Sequence, residues 1–225
     1  IKDVKRETPD AVSIEMDVPA DLKETFKFKH GQYLTFKLQV NGEELRRSYS
    51  ICSSPLENSL RIAVKEVENG RVSGYFNKQA QAGQEIEVMP PMGNFNTELT
   101  ASNRKTYLAF AAGSGITPIM SIIKTVLETE PSSTFLLFYG NRDPKSVIFK
   151  DELEQLQAKY SDRFKLHFLY SRQASSDPLF EGRISREKIE ALAQQYPKVL
   201  QADEYFLCGP QQMIESTSEL LQGKG

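Results

Sequence analysis

Two hydrophobic periods divide the chain. Over the first hundred residues apolar positions recur in short runs, at 11–18, 32–40, 45–51, 60–67 and 84–89. Period-two alternation sends successive side chains to opposite faces of a strand. The dipeptides between the runs, Asn41-Gly42, Asn69-Gly70 and Pro90-Pro91, supply turn residues, and Asn41-Gly42 favours a tight hairpin. Many short strands with one short helix near residues 72–80 predict a small closed antiparallel β-barrel. From about residue 102 the period changes. Apolar runs at 105–111, 134–139, 164–170 and 204–208 alternate with helical patterns near 118–130, 149–160, 185–196 and 210–221. That alternation predicts βαβ units and a parallel sheet with helices on both faces. The predicted organisation is a β-barrel domain over residues 1–101 followed by an α/β domain over residues 102–225, without internal repeats or low-complexity segments.

Ligands of open parallel sheets bind beyond the carboxyl ends of the strands. Gly113, Asn141, Arg172 and Cys208 each fall at or just after such an end. The richest of these places is Gly113-Ser114-Gly115-Ile116-Thr117-Pro118-Ile119-Met120, a glycine turn between an apolar run and a helix. Glycines let a backbone approach a pyrophosphate, and the helix N-terminus offers free N–H groups. Pro118 is harmless in a first helical turn, where its missing N–H would be unpaired anyway. The same turn is equally compatible with plain strand–helix packing.

A second motif, Arg47-Ser48-Tyr49-Ser50, lies in the alternating run after the hairpin turn. Alternation places Arg47 and Tyr49 on one face, Ser48 and Ser50 on the other. A guanidinium takes a phosphate bidentately, and a phenol ring lies flat on a planar heterocycle. Alone, the tetrapeptide also reads as an exposed strand face. Two further elements follow in order: Gly70-Arg71-Val72-Ser73, where Ser73 is a candidate helix cap, and Cys208-Gly209-Pro210 after an apolar run.

The ordered set Arg-x-Tyr-Ser, Gly-x-x-Ser, Gly-x-Gly-x-x-Pro and Cys-Gly-Pro resembles the ferredoxin–NADP reductase superfamily over nearly the whole chain. Lys29-His30-Gly31-Gln32-Tyr33 is similar to the family's Pro-Gly-Gln-Tyr strand entry, with His30 in place of proline, a departure expected to affect the turn only. The resemblance implies an FAD-dependent NAD(P)H oxidoreductase. Arg47 would pair with an FAD phosphate, Tyr49 pack on the isoalloxazine and Ser50 bond near its N5, with Ser48 beside them. Val64 and Lys65 would present backbone groups to flavin or ribose, or be ordinary strand positions. Val72 and Ser73 would hold the flavin pyrophosphate. Gly113, Gly115, Thr117 and Pro118 would line the nicotinamide-nucleotide site, with Cys208 and Gly209 near the nicotinamide. Tyr49, Ser50, Thr117 and Cys208 are the residues implied to act at the reacting rings. Thr117 is alternatively a first-turn residue capping its own backbone, and Cys208 an inert buried thiol.

NADPH carries a 2′-phosphate that suits arginine, whereas NADH suits a carboxylate on its ribose. Ser171-Arg172 resembles the pair holding the 2′-phosphate in NADPH-using relatives, and Arg142 and Arg183 are similarly placed in bacterial members. NADPH is therefore expected, with NADH open; Asp143 is the residue that could reverse the choice. The phrases around residues 7–12, 46–53 and 113–120 are most similar to reductase components of multicomponent oxygenases, specifically the phenylacetyl-CoA oxygenase (epoxidase) type. That likeness implies an iron–sulfur electron acceptor, either a 2Fe–2S domain downstream or a ferredoxin, and an oxygenase component as partner. The run Gln222-Gly223-Lys224-Gly225 reads as a helix end, before the family's last strand and any iron–sulfur domain. A stand-alone ferredoxin or flavohaemoglobin-type reductase module, or a flavin subunit that does not itself oxidise NAD(P)H, would keep the same motifs.

Composition narrows the alternatives. A formal charge of −2 gives no field that would favour nucleic acid or an anionic membrane. No apolar run is long enough to cross a bilayer, and residues 1–6 lack the apolar stretch of a signal peptide, so a cytoplasmic location is expected. Two cysteines cannot build a disulfide framework or a four-thiolate cluster. His30 and His167 show no ligand-like spacing and read as structural, so no metal is expected within these residues.

Overall fold

A computed structural model of the chain describes residues 1–223; Lys224 and Gly225, part of the expected helix end, lie outside the described residues. The chain splits into two compact units, residues 1–98 with 120–125, and residues 99–119 with 126 onward.

The first unit contains β1 (Asp3–Thr8), β2 (Ala11–Met16), β3 (Tyr33–Val40), β4 (Glu43–Ser50), β5 (Leu60–Lys65), helix α1 (Arg71–Lys78) and β6 (Glu87–Val88). Two antiparallel sheets, β1-β2-β5 and β4-β3-β6, face one core. They meet at an Ile51–Ile62 bridge on one side. On the other, the Ile1 amino group donates to the Gln84 carbonyl (2.7 Å) and Gly83 N–H to Ile1 (2.9 Å). The closure that the alternating runs predict is thus made by short contacts at both seams. Asn41 and Gly42 both adopt positive φ at the β3–β4 turn, as a tight hairpin requires. Strand β1 escapes the hydrophobic pattern because Val4 is its one large apolar side chain; its backbone pairing to β2 defines it, with a bulge between Arg6 and Thr8. Gly31, at φ 79°, lies so close to the Phe95 carbonyl that a Cβ would overlap it. The neighbouring His30 is buried, and its Nε2 accepts the Thr97 N–H at 3.3 Å.

The second unit holds β7 (Thr106–Ala112), helix α2 (Ile116–Thr129), β8 (Thr134–Asn141), α3 (Lys150–Lys159), β9 (Phe164–Tyr170), α4 (Arg186–Gln195), β10 (Glu204–Cys208) and α5 (Gln211–Gln222). Its four strands are parallel, in the order β10-β7-β8-β9. One face packs Leu108, Phe110, Leu136 and Phe138 against Ile189 and Leu192 of α4 and Met213 and Leu220 of α5. Residues 120–125 in the middle of α2 group with the first unit, where the Ser121 hydroxyl donates to the Ser53 carbonyl (2.7 Å) and Lys124 pairs with Glu57 (3.0 Å).

At the amino edge of the parallel sheet a buried carboxylate organises the turns. Glu130 accepts from the Tyr107 hydroxyl (2.9 Å), Ser133 hydroxyl (2.7 Å) and Asn103 amide (2.6 Å). Burial pushes its carboxyl up, but hydrogen bonds from Ser133, Asn103 and Tyr107 outweigh that and hold it below the usual carboxylate range. Arg163 closes the end of α2 by donating to the carbonyls of Leu127 (2.8 Å) and Glu130 (3.0 Å).

Candidate functional site

In the first unit the register of β3 and β4 sets Leu45 opposite Leu38, Arg47 opposite Phe36 and Tyr49 opposite Leu34. Residues directly opposite in an antiparallel ladder share a face, and Leu34, Phe36 and Leu38 belong to the core. Arg47 and Tyr49 therefore stand on the core side of the sheet. Yet Arg47 is exposed and Tyr49 only half-buried. Past Leu45 the inner face of β4 leaves the core and becomes a shelf bearing a guanidinium and a phenol. The Tyr49 ring stands perpendicular to that of Phe76 of α1, with centroids 5.5 Å apart. Burial pushes its hydroxyl up to about 12 against the opposing pull of Arg47, so it stays a neutral phenol. Ser48 lies on the outer face, its Oγ 2.8 Å from Thr35 Oγ1, and half-buried Ser50 ends the strand.

Helix α1 places Phe76 beneath that shelf, and its start corrects one expectation. Gly70, not Ser73, is the N-cap, and no side chain caps the helix. The Ser73 hydroxyl instead accepts the Val67 N–H (3.1 Å) and donates to the Gly70 carbonyl (3.2 Å), closing the turn before the helix. A Cβ on Gly70 would overlap that hydroxyl, which explains glycine there. The Val72 side chain is in the core, so Val72 and Ser73 offer a ligand only backbone N–H groups. Strand β5 corrects a second. The bond from Glu66 N–H to Asp10 (2.7 Å) fixes which residues of the β2–β5 ladder face each other. By alternation Val64 turns its backbone toward Val12, and its carbonyl also accepts the Asn77 amide (3.1 Å). Lys65, one residue on, turns its backbone to the opposite edge.

In the second unit the motif residues collect along the carboxyl edge of the sheet. Gly113 takes a left-handed φ of 55°. Gly115 has an ordinary φ of −61°, and close approach explains it instead. A Cβ there would lie 2.5 Å from the Cys208 carbonyl carbon and 2.9 Å from the Gly209 nitrogen. On Gly209 it would stand 2.8 Å from Met213 Cε and 3.1 Å from Ala112 Cβ. The glycine turn and the Cys208-Gly209 turn are therefore interlocked. The Tyr139 hydroxyl adds a bond to the Gly113 carbonyl (2.9 Å), a tie that no local pattern announces. Thr117 is buried and donates to the Ser114 carbonyl at 2.8 Å, which is the self-capping alternative for its hydroxyl. Pro118 sits buried in the first turn of α2. Cys208 is half-buried, and burial pushes its thiol up, which disfavours a thiolate nucleophile.

The three arginines also converge. Arg172 N–H donates to the Arg142 carbonyl and Ser171 N–H to the Asn141 carbonyl, both at 2.9 Å. Gly182 N–H donates to Tyr170 (2.8 Å), which brings Arg183 to the same edge. All three side chains and Ser171 are exposed. Asp143 is committed elsewhere: its carboxylate accepts the Ser146 N–H at 3.0 Å and caps the short turn Pro144–Ser146.

The helix starts distinguish themselves electrostatically. Helices α1, α2 and α5, which follow the Gly-x-x-Ser, Gly-x-Gly and Cys-Gly-Pro turns, carry neither a side-chain cap nor an acidic residue in the first turn. Helix α3 has Asp151 and Glu152 there, and α4 has Glu187 and a Ser185 cap. The motif helices thus keep unneutralised positive dipole ends, suited to phosphate. An FAD and a nicotinamide dinucleotide, each with a pyrophosphate and a planar ring, fit such sites through Arg47, Tyr49 and these backbone N–H groups.

Comparison with known proteins agrees. Residues 1–97 match the oxidoreductase FAD-binding domain and residues 110–219 the oxidoreductase NAD-binding domain. The chain is 43% identical over 222 residues to a component of 1,2-phenylacetyl-CoA epoxidase from Escherichia coli (strain K12), covering 99% of this chain and 62% of that protein. It is 35% identical over 225 residues to the ferredoxin reductase component of 3-ketosteroid-9-alpha-monooxygenase from Rhodococcus rhodochrous, covering 99% and 60%. The chain thus spans about three fifths of the length of these curated relatives. A ferredoxin NADP+ reductase from Neisseria gonorrhoeae with bound FAD and NADP shares the fold, with a TM-score of 0.78 at 22% identity over 99% of this chain and 88% of that one. Ordered motifs, paired antiparallel sheets, a parallel sheet and these matches together make the chain an oxidoreductase FAD-binding domain joined to an oxidoreductase NAD-binding domain, with the fold of a ferredoxin–NADP reductase.

Proposed function

We propose that this chain is the flavin and nucleotide portion of an oxygenase reductase of the phenylacetyl-CoA type, taking electrons from NADPH and passing them to an iron–sulfur centre. The acceptor is a 2Fe–2S domain or a ferredoxin, the onward partner an oxygenase component, and the location cytoplasmic. Residues 1–101 serve FAD and residues 102–225 the nucleotide. FAD, held by Arg47, Tyr49 and the backbone of Val72 and Ser73, would supply the redox chemistry that links a two-electron hydride donor to a one-electron acceptor. The protein's task is geometry. Arg47 neutralises phosphate charge, and Tyr49, perpendicular to Phe76, supplies a neutral ring surface. Val72 and Ser73 offer N–H groups, Lys65 a backbone edge, and Ser50 a hydrogen-bonding group at the end of β4. In the second unit the Gly113–Gly115 turn receives the pyrophosphate, while Cys208 and Gly209, locked against it, set how near the nicotinamide comes. Arg142, Arg172 and Arg183 with Ser171 take the 2′-phosphate.

The observation that carries this reading is the absence of caps and first-turn acids on α1, α2 and α5 alone among the five α-helices of the described residues. NADPH is favoured over NADH because Arg142, Arg172 and Arg183 are brought to one edge, while Asp143, the acid nearest in sequence to Arg142, has one carboxylate oxygen bonded to the Ser146 N–H. Anaerobic stopped-flow absorbance of the FAD-loaded chain tests the proposal. Faster bleaching of the flavin band by NADPH than by NADH is expected. Faster bleaching by NADH overturns the 2′-phosphate assignment. A yellow protein bleached by neither overturns nucleotide oxidation by this chain, leaving a flavin electron-transfer subunit.

A further inference from the structure

Three buried side-chain atoms among the described residues lack a hydrogen-bond partner: both amide atoms of Asn141 and the Thr217 hydroxyl. Buried polar groups nearly always find partners, so an amide with neither its oxygen nor its nitrogen satisfied is a cost the fold tolerates for a reason. Thr217 lies inside α5, outside every motif. Asn141 is the last residue of β8, at the carboxyl edge where the glycine turn and the arginines gather. Its backbone is held on that edge: it stands opposite Tyr170 in the ladder, and its carbonyl accepts the Ser171 N–H.

Alternation gives Asn141 the same sheet face as Tyr139, whose hydroxyl reaches the Gly113 carbonyl. The next residue, Arg142, bonds through its carbonyl to Arg172. Along the edge, Asn141 therefore stands between the pyrophosphate turn and the 2′-phosphate arginines. In a dinucleotide the group between pyrophosphate and 2′-phosphate is the adenosine ribose. With its 5′ and 2′ oxygens phosphorylated, that ribose keeps a free 3′-hydroxyl, which both donates and accepts, as a carboxamide does, whereas a phosphate would leave the amide oxygen unmatched.

We propose that Asn141 is a nucleotide-positioning residue whose carboxamide hydrogen-bonds the adenosine ribose of the bound nicotinamide dinucleotide. The inference rests on the nucleotide reading above and adds a residue to it. Because both amide atoms are covered, the side chain must change rotamer to reach the ribose, and its missing partners favour that change. Asn141 thereby trades stability for affinity, a pattern expected of functional positions.

The test uses the FAD-loaded chain with Asn141→Leu, nearly isosteric and apolar, and Asn141→Ala, with Thr217→Val as the control. Calorimetric titration with NADP+ and with adenosine 2′,5′-bisphosphate measures affinity, and thermal melting without nucleotide measures stability. Both Asn141 variants should bind both probes about tenfold or more weakly and melt no lower than wild type, as expected for lost hydrogen bonds to the ligand alone. Thr217→Val should bind as wild type does. Affinities within about twofold of wild type would overturn the proposal. So would a loss confined to NADP+, which would place Asn141 on the nicotinamide half. Lower melting of both variants would also overturn it, by showing the amide satisfied through water or protein. A wild-type chain that binds neither probe sinks the nucleotide reading itself, and this inference with it.

Discussion

Gly115→Ala isolates the interlock between the two turns of the nucleotide site. At φ −61° an alanine is conformationally acceptable, so backbone strain contributes nothing. Where space allows, Gly→Ala stabilises by about 0.4–1 kcal/mol through the unfolded chain. Here the added methyl would meet the Cys208 carbonyl carbon at 2.5 Å and the Gly209 nitrogen at 2.9 Å. Ordinary carbon contacts lie near 3.5–4.0 Å, so the turns must part by about 1 Å. Overpacking of that kind costs about 1–3 kcal/mol, leaving a net loss of up to about 2.6 kcal/mol. For a chain of this size that lowers the melting temperature by up to about 10 °C. Gly74→Ala is the matched contrast: within α1 its Cβ would find its nearest neighbour, Glu66 Oε1, at 4.0 Å. It should melt higher than wild type by the same logic. Calorimetric melting of the two FAD-loaded variants decides the matter, and NADPH-driven flavin bleaching in Gly115→Ala reads the functional consequence. A 1 Å displacement at a hydride-transfer site costs up to about a hundredfold in rate. If Gly115→Ala melts higher, as Gly74→Ala should, and reduces at the wild-type rate, the two turns are not locked and the close-approach argument is wrong.

Other perturbations separate the remaining roles. Arg172→Ala should lower kcat/KM for NADPH by about 1.5–3 kcal/mol while sparing NADH, the value of a lost charge-assisted hydrogen bond; equal effects on both cofactors would remove Arg172 from the 2′-phosphate site. Arg47→Ala should reduce FAD content with the barrel still folded, since the side chain is exposed and outside the core; full flavin occupancy by absorbance would refute its phosphate role. His167 stacks between Phe138 (5.2 Å) and Phe180 (5.1 Å), and burial, helped by Lys165, holds its pKa below the usual 6.5. Its neutral form is favoured by folding, so its contribution is full above pH 6.5 and is lost as pH falls through the lower folded value. Melting of His167→Phe should therefore depend less on pH between about 7 and 5 than that of wild type; identical slopes would show that His167 does not titrate with folding.

Much of this molecule is legible in its residues taken in order. The change from period two to strand–helix alternation near residue 102, the Asn41-Gly42 hairpin and the helix starts after glycine turns follow from neighbours a few positions apart. Backbone sterics and side-chain periodicity act at that range. So the antiparallel and parallel halves, Arg47 and Tyr49 on one face, and the Gly113 turn were all readable. Strand β1 was not, because a charged edge strand is defined by its partner's backbone rather than by its own apolar positions. The commitment of Ser73 to Val67, of the Val64 backbone to β2 and of the Asp143 carboxylate to Ser146 depends on register and rotamer, to which composition is blind. The same holds for the convergence of Arg142, Arg172 and Arg183, and for the lock between Gly115 and Cys208. These join residues dozens of positions apart, and only folding of the sheet sets their separation. The unpartnered amide of Asn141 is the extreme case: an asparagine after a strand is ordinary in sequence, and burial alone turns its unmet hydrogen bonds into a statement about function.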